Sequence, residues 1–141
     1  GAYAELLSHE MVRSIKDVYR DREFDLVTCV PMHKDTLRKR GYNQAELLAK
    51  ECARLLGIEY ADLLAKTKKN KTQHSIKAAE RAKNVIGVYS PIDKNLIKGK
   101  RILIIDDIIT TGSTLGECAR ILNKCKCGEI CCCTLCTSLL I

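Results

Sequence analysis

The segment Arg101-Ile-Leu-Ile-Ile-Asp106 limits the possible folds of this chain more than any other. Four aliphatic residues in a row leave no polar alternate for a wet face. The run fits a strand covered on both sides, as in a parallel sheet with helices above and below it. A hydroxyl-rich turn and a helix signal follow at once. Thr114 starts the helix, Glu117 completes a capping box three residues later, and Leu115, Ala119 and Leu122 face inward.

The rest of the chain repeats this alternation. Over residues 4–21, Leu7, Met11, Ile15 and Val18 recur at helical spacing. Phe24-Asp-Leu-Val-Thr-Cys-Val30 reads as a strand stopped by Pro31, and Met32–Tyr42 as a polar loop. Asn43 caps a second helix, with Glu46 in capping-box position and Leu48, Cys52, Leu55 and Leu56 on its buried face. Gly57 ends that helix. Leu63-Leu64-Ala65 is a short strand, Lys66–Lys77 a loop and 78–83 a short helix. Val85–Tyr89 is a strand closed by Ser90-Pro91, and Glu129–Thr137 is the last strand, after the turn at Gly128. Strands alternating with helices imply one α/β domain over 1–141, with a doubly wound, mostly parallel central sheet flanked by helices. Ligands of such sheets sit at strand carboxyl ends, here after Val30 and after Ile105.

Composition limits the function. No apolar run reaches the roughly 18 residues of a membrane helix, and the start has no basic-then-apolar leader. The net charge of +7 favours anionic partners. It is concentrated at Lys34, Arg38, Lys39 and Arg40, and again at Lys66, Lys68, Lys69, Lys71, Lys77, Arg81 and Lys83. Six of the nine cysteines lie between Cys125 and Cys136. Cys133 and Cys136 have C-x-x-C spacing, but inside an apolar strand such residues point to opposite faces. They read as small buried residues rather than a zinc site or a disulfide frame, which places the chain in a reducing, cytoplasmic compartment.

The window Asp106-Asp107-Ile-Ile-Thr110-Thr111-Gly112-Ser113-Thr114 carries the chemistry. Two adjacent carboxylates at a strand end cost free energy unless sugar hydroxyls or a metal use them. A glycine lets the chain turn and present backbone N–H groups, and the helix start favours a phosphate. Together they describe a site for a ribose 5-phosphate. Asp-Asp could instead be the metal pair of an NTPase, but no G-x-x-x-x-G-K-[ST] loop accompanies it. A lone Thr-Gly-Ser-Thr would be only a helix cap.

This window resembles the binding motif for 5-phosphoribosyl 1-diphosphate (PRPP) of class I phosphoribosyltransferases. Val30-Pro31-Met-His33 with Arg40-Gly-Tyr-Asn-Gln44, then Thr72-Gln73 with Arg81, Asn84 and Val85, are similar to blocks of the ComF family, which is linked to DNA uptake in bacteria. The resemblance implies a type I phosphoribosyltransferase fold and transfer of the phosphoribosyl group to a nitrogen nucleophile, with diphosphate released and Mg²⁺ bound through PRPP rather than by the protein. It implies that Asp106 and Asp107 hold the ribose hydroxyls, and that Thr110, Thr111, Gly112, Ser113 and Thr114 cradle the 5-phosphate. Met32, His33, Lys34, Arg38 and Arg40 would meet the diphosphate. Lys71, Gln73 and Arg81 would belong to a closing lid, with His74 a solvated lid residue. Thr110 stands where purine-salvage relatives place an aspartate, which argues against hypoxanthine–guanine salvage. The family's amino-terminal zinc-binding segment is expected to be missing. A non-catalytic competence factor holding single-stranded DNA, a PRPP-sensing domain and a homodimer all stay open on sequence grounds. With one Phe and five Tyr, a DNA contact would be mainly electrostatic.

Overall fold

A computed structural model describes residues 2–68, 87–109 and 112–137. In chain order these form α1 (Ala2–Val18), β1 (Leu26–Cys29), α2 (Lys34–Arg40), α3 (Gln44–Leu56), β2 (Glu59–Tyr60), β3 (Leu64–Lys66) and β4 (Tyr89–Pro91). Then come α4 (Lys94–Ile97), β5 (Arg101–Ile109), α5 (Ser113–Lys124) and β6 (Glu129–Thr137). The strands β2-β1-β5-β6 make one parallel sheet, and β3 and β4 pair antiparallel as a separate ribbon.

The aliphatic run in β5 sets the layers. Its residues alternate between faces, and each face meets a different cluster. Leu103 and Ile105 join Met11, Val12 and Ile15 of α1 and Leu48, Ala49 and Cys52 of α3. Ile102 and Ile104 join Leu115, Cys118, Ile121 and Leu122 of α5, together with Leu64 and Tyr89 of the ribbon and Ile97 of α4. Ile102, Leu103, Ile104 and Ile105 are fully buried, each stabilising by roughly 1.5–3 kcal/mol relative to exposure. The helices therefore lie on both faces, as a doubly wound sheet requires.

Polar contacts fix the register at the amino ends of the strands. The Arg101 guanidinium donates to both oxygens of Asp25 at 3.0 and 2.9 Å, and the Arg101 backbone N–H donates to Asp25 at 2.8 Å. This holds the Asp25 carboxyl well below the usual carboxylate range. Gly128 lies so close to the preceding turn that a Cβ there would stand 2.9 Å from the Gly99 carbonyl oxygen.

Several expectations need correction. Residues 34–40 form α2 rather than loop, capped by His33 and closed by Gly41. Val18 is 71% exposed, and Val12 and Ser8 take its place on the buried face of α1. Lys66 belongs to a strand, and Ser90 and Pro91 lie inside β4 rather than ending it, with Pro91 opposite Leu64. β2 and α4 are too short for a periodicity reading to detect. β5 does not end at Asp106 but runs on through Asp107 to Ile109, because its pairing with β6 continues to Ile109↔Thr137. The N-cap of α5 is Gly112, and Glu117 makes no capping box; it binds the Arg120 guanidinium and the Gly87 N–H. The expected helix over 78–83 lies outside the described residues.

Candidate functional site

The strand order reverses at β1. From β1 the chain passes through α2 and α3 to β2 on one side, whereas β5 and β6 lie on the other. The carboxyl ends of β1 and β5 therefore carry connections that diverge, and a crevice opens between them. A cavity of about 270 Å³ lies there.

β5 supplies Asp106 and Asp107. The Asp107 N–H donates to the Asp106 carboxylate at 2.9 Å. Burial, with the neighbouring Asp107 charge, pushes Asp106 up to about 7. Beyond β5, Gly112 adopts φ 79° and no side chain caps α5. Only glycine takes that backbone without strain. The helix start reaches the cavity at Thr114, and its N–H groups and the positive end of its dipole suit an anion. Thr114 lines the cavity and hydrogen-bonds the Tyr89 side chain, whose hydroxyl burial pushes up.

β1 supplies the opposite wall. The Val30 N–H donates to the Ile105 carbonyl at 3.1 Å, and Pro31, Met32 and His33 then line the cavity. His33 Nδ1 accepts from the Asp35 N–H at 3.1 Å, so this histidine caps α2 as well as facing the crevice. Asn43 caps α3 through the Ala45 N–H at 3.0 Å and donates to the Val30 carbonyl at 3.3 Å. One side chain thereby ties the β1 loop to α3.

Lys66 closes the rim. It is half-buried, its ammonium stands 5.7 Å from the centre of the Tyr89 ring, and no carboxylate among the described residues pairs with it. Burial pulls its pKa below the usual lysine range. From sequence it read as the first of many loop lysines. Its place depends on pairing opposite Tyr89, a long-range contact.

Met32, His33, Arg40, Asp106, Asp107 and Thr114 thus surround one cavity, with Thr36, Gln44, Lys66 and Tyr89. Lys34 borders the adjoining cavity instead. Arg38 faces away, largely exposed, and pairs with Asp35 at 3.3 Å. Gly112 and Ser113 sit at the α5 start. Thr110, Thr111, Lys71, Gln73, His74 and Arg81 lie outside the described residues. Among the described residues no three His, Cys, Asp or Glu side chains converge as a metal cage. A half-buried aspartate pair does suit a hard cation that keeps most of its waters and arrives with a phosphate ligand. In β6, Cys131 and Cys133 pack on the α1–α3 side and Cys132 on the other, the alternation expected of core residues.

Residues 43–139 match the model of the phosphoribosyl transferase domain. The chain is 32% identical over 129 residues to competence protein F of Haemophilus influenzae, covering 88% of this chain and 56% of that protein. It is 30% identical over 122 residues to competence protein ComFC of Streptococcus pneumoniae, covering 86% and 49%. The chain thus spans about half the length of these curated relatives. Adenine phosphoribosyltransferase from Saccharomyces cerevisiae shares the fold at 16% identity, with a TM-score of 0.63 over 97% of this chain and 69% of that one.

Proposed function

This chain belongs to the phosphoribosyl transferase domain family, in its ComF branch, and from that premise we propose that it binds PRPP and transfers its phosphoribosyl group to a nitrogen nucleophile. The observation that carries the reading is one crevice with carboxylates on one strand, an anion-favouring helix start beside them and cationic side chains opposite.

In this reading Asp106 and Asp107 accept hydrogen bonds from the ribose 2- and 3-hydroxyls. The α5 start, with Ser113 and Thr114, holds the 5-phosphate. Met32, His33, Arg40 and Lys66 face the diphosphate. The bond from the anomeric carbon to the diphosphate oxygen breaks, a carbon–nitrogen bond forms, and the nucleophile gives up a proton. Fixed cations at the leaving group stabilise the transition state more than the ground state, because charge accumulates there as the bond breaks. Mg²⁺ bound to the diphosphate would neutralise part of that charge. Calorimetry with PRPP and Mg²⁺ tests the binding, and a diphosphate-release screen across bases, ammonia and oligonucleotides tests turnover. Absence of heat at millimolar PRPP would sink the reading.

A second reading has its own support. Arg38, Lys39 and Arg40 lie exposed on α2, and Tyr42, 52% exposed, follows them. Cations beside an exposed ring suit single-stranded nucleic acid, in keeping with a competence role in the cytoplasm. No helix among the described residues is long and apolar enough to cross a membrane.

A further inference from the structure

Beside the crevice lies a larger cavity of about 490 Å³, a size that takes a nucleotide-like molecule. The two share Pro31, Met32, His33, Asn43 and Lys66, so the cationic rim of one is also an edge of the other. Away from that edge its character changes. Glu46 and Asp62 border the larger cavity alone, and so do the apolar Leu64 and Ile92. The carboxylates are held in place. Glu46 lies in the first turn of α3 with Lys50 at 3.9 Å, and Asp62 accepts from the Tyr60 hydroxyl at 2.8 Å.

The wall also contains Thr28, a hydroxyl residue only 1% exposed. It forms no side-chain hydrogen bond with any other described residue. A buried hydroxyl without a partner is costly and uncommon, and this one lines a cavity able to supply the partner. Cations at one edge, hydrogen-bond acceptors at the other and apolar walls between match a molecule with phosphate at one end and a flat, amine-bearing ring at the other.

We propose that this second cavity binds a nucleotide whose base carries an exocyclic amine, with its phosphates at His33 and Lys66 and its amine at Thr28, Glu46 and Asp62. It does not bind the transfer acceptor. A nucleophile enters opposite the leaving group, and this cavity lies on the diphosphate side; that exclusion rests on the proposed placement of PRPP. Two polyanions meeting at one cationic edge repel, so nucleotide and PRPP weaken each other's binding by one and the same factor.

The test uses ADP, inosine diphosphate and inorganic diphosphate as probes in calorimetry on the full chain. ADP should bind at least tenfold tighter than either of the others and should lower PRPP affinity. Glu46→Gln with Asp62→Asn should cost ADP tenfold or more while PRPP affinity stays within twofold. Thr28→Val should also weaken ADP, with the fold checked by circular dichroism. Asp106→Asn with Asp107→Asn should spare ADP. If that aspartate pair abolishes ADP binding, the nucleotide occupies the first cavity and the proposal falls. It also falls if all three probes bind alike, or if ADP fails to bind at millimolar concentration. ADP binding with these variant effects but no PRPP binding would support this site and refute the PRPP reading alone.

Discussion

Asp106 is subject to two opposing influences. Burial favours its neutral form, whereas the ribose hydroxyls and cation of the proposed reading would favour the anion. Its folded pKa near 7 lies above the ordinary 3.8, so between those values the native state holds more protons than the unfolded one. Stability from this group is therefore full below about 4 and falls as pH rises to about 7. Asp106→Asn should leave thermal stability near pH 4 unchanged and raise it at pH 8. After allowance for solvent the gain is on the order of 1–2 kcal/mol. A scan showing equal shifts at both pH values would refute this. Ligand binding runs the other way. PRPP affinity should rise from pH 6 to pH 8 as the carboxylate forms. The double change of Asp106 and Asp107 to Asn should cost about tenfold or more at pH 8, from the removal of bonds of roughly 1.5–3 kcal/mol each. Calorimetry across that range reads both effects.

At the scale of elements, α2 is the piece that depends most on its ends. Seven residues are too few to stand alone as a helix, and none of them is buried. His33 at one end and Gly41 at the other supply what packing does not. His33→Ala should therefore loosen α2 by about 1 kcal/mol, seen as faster hydrogen exchange at the Asp35 and Leu37 amides. PRPP affinity should fall with it, because Arg40 rides on this helix. Unchanged exchange would show that the cap contributes nothing. The same helix shows why some elements were legible in the sequence and others were not. Asn43 and Gly57 bracket α3, and the alternation of β6 follows from its own residues. Signals of this kind are local. α2 has no apolar stripe, and its cap is a histidine, a residue outside the usual capping set. Lys66 and the second cavity arise from pairing between distant segments, so no window of sequence contains them. Asp106 was readable as the end of a strand and Asp107 only as part of a site, because only β6 reveals how far β5 extends.

Among the described residues, the cations that the two proposed readings offer to an anion divide between the crevice and α2. Arg38→Gln with Lys39→Gln should weaken single-stranded DNA binding and flatten its dependence on salt, the slope falling by about 0.7 for each phosphate that is no longer neutralised. PRPP affinity should stay within twofold, since neither residue lines the crevice. A matching drop for PRPP would instead put Arg38 at the diphosphate. The buried Glu117 joins the two layers on one face of the sheet. It lies in the second turn of α5, and its carboxylate accepts the Gly87 N–H from the segment leading into β4 at 3.3 Å. An anion seated at the first turn of α5 acts on a rigid lever whose next turn holds that amide. The Gly87 resonance in a nitrogen–proton correlation spectrum is thus a built-in gauge. It should move on titration with phosphate or PRPP, and Glu117→Gln should blunt the response without emptying the crevice. A chain with no tryptophan offers little intrinsic fluorescence to follow; this one backbone proton gives the titration an optics-free signal.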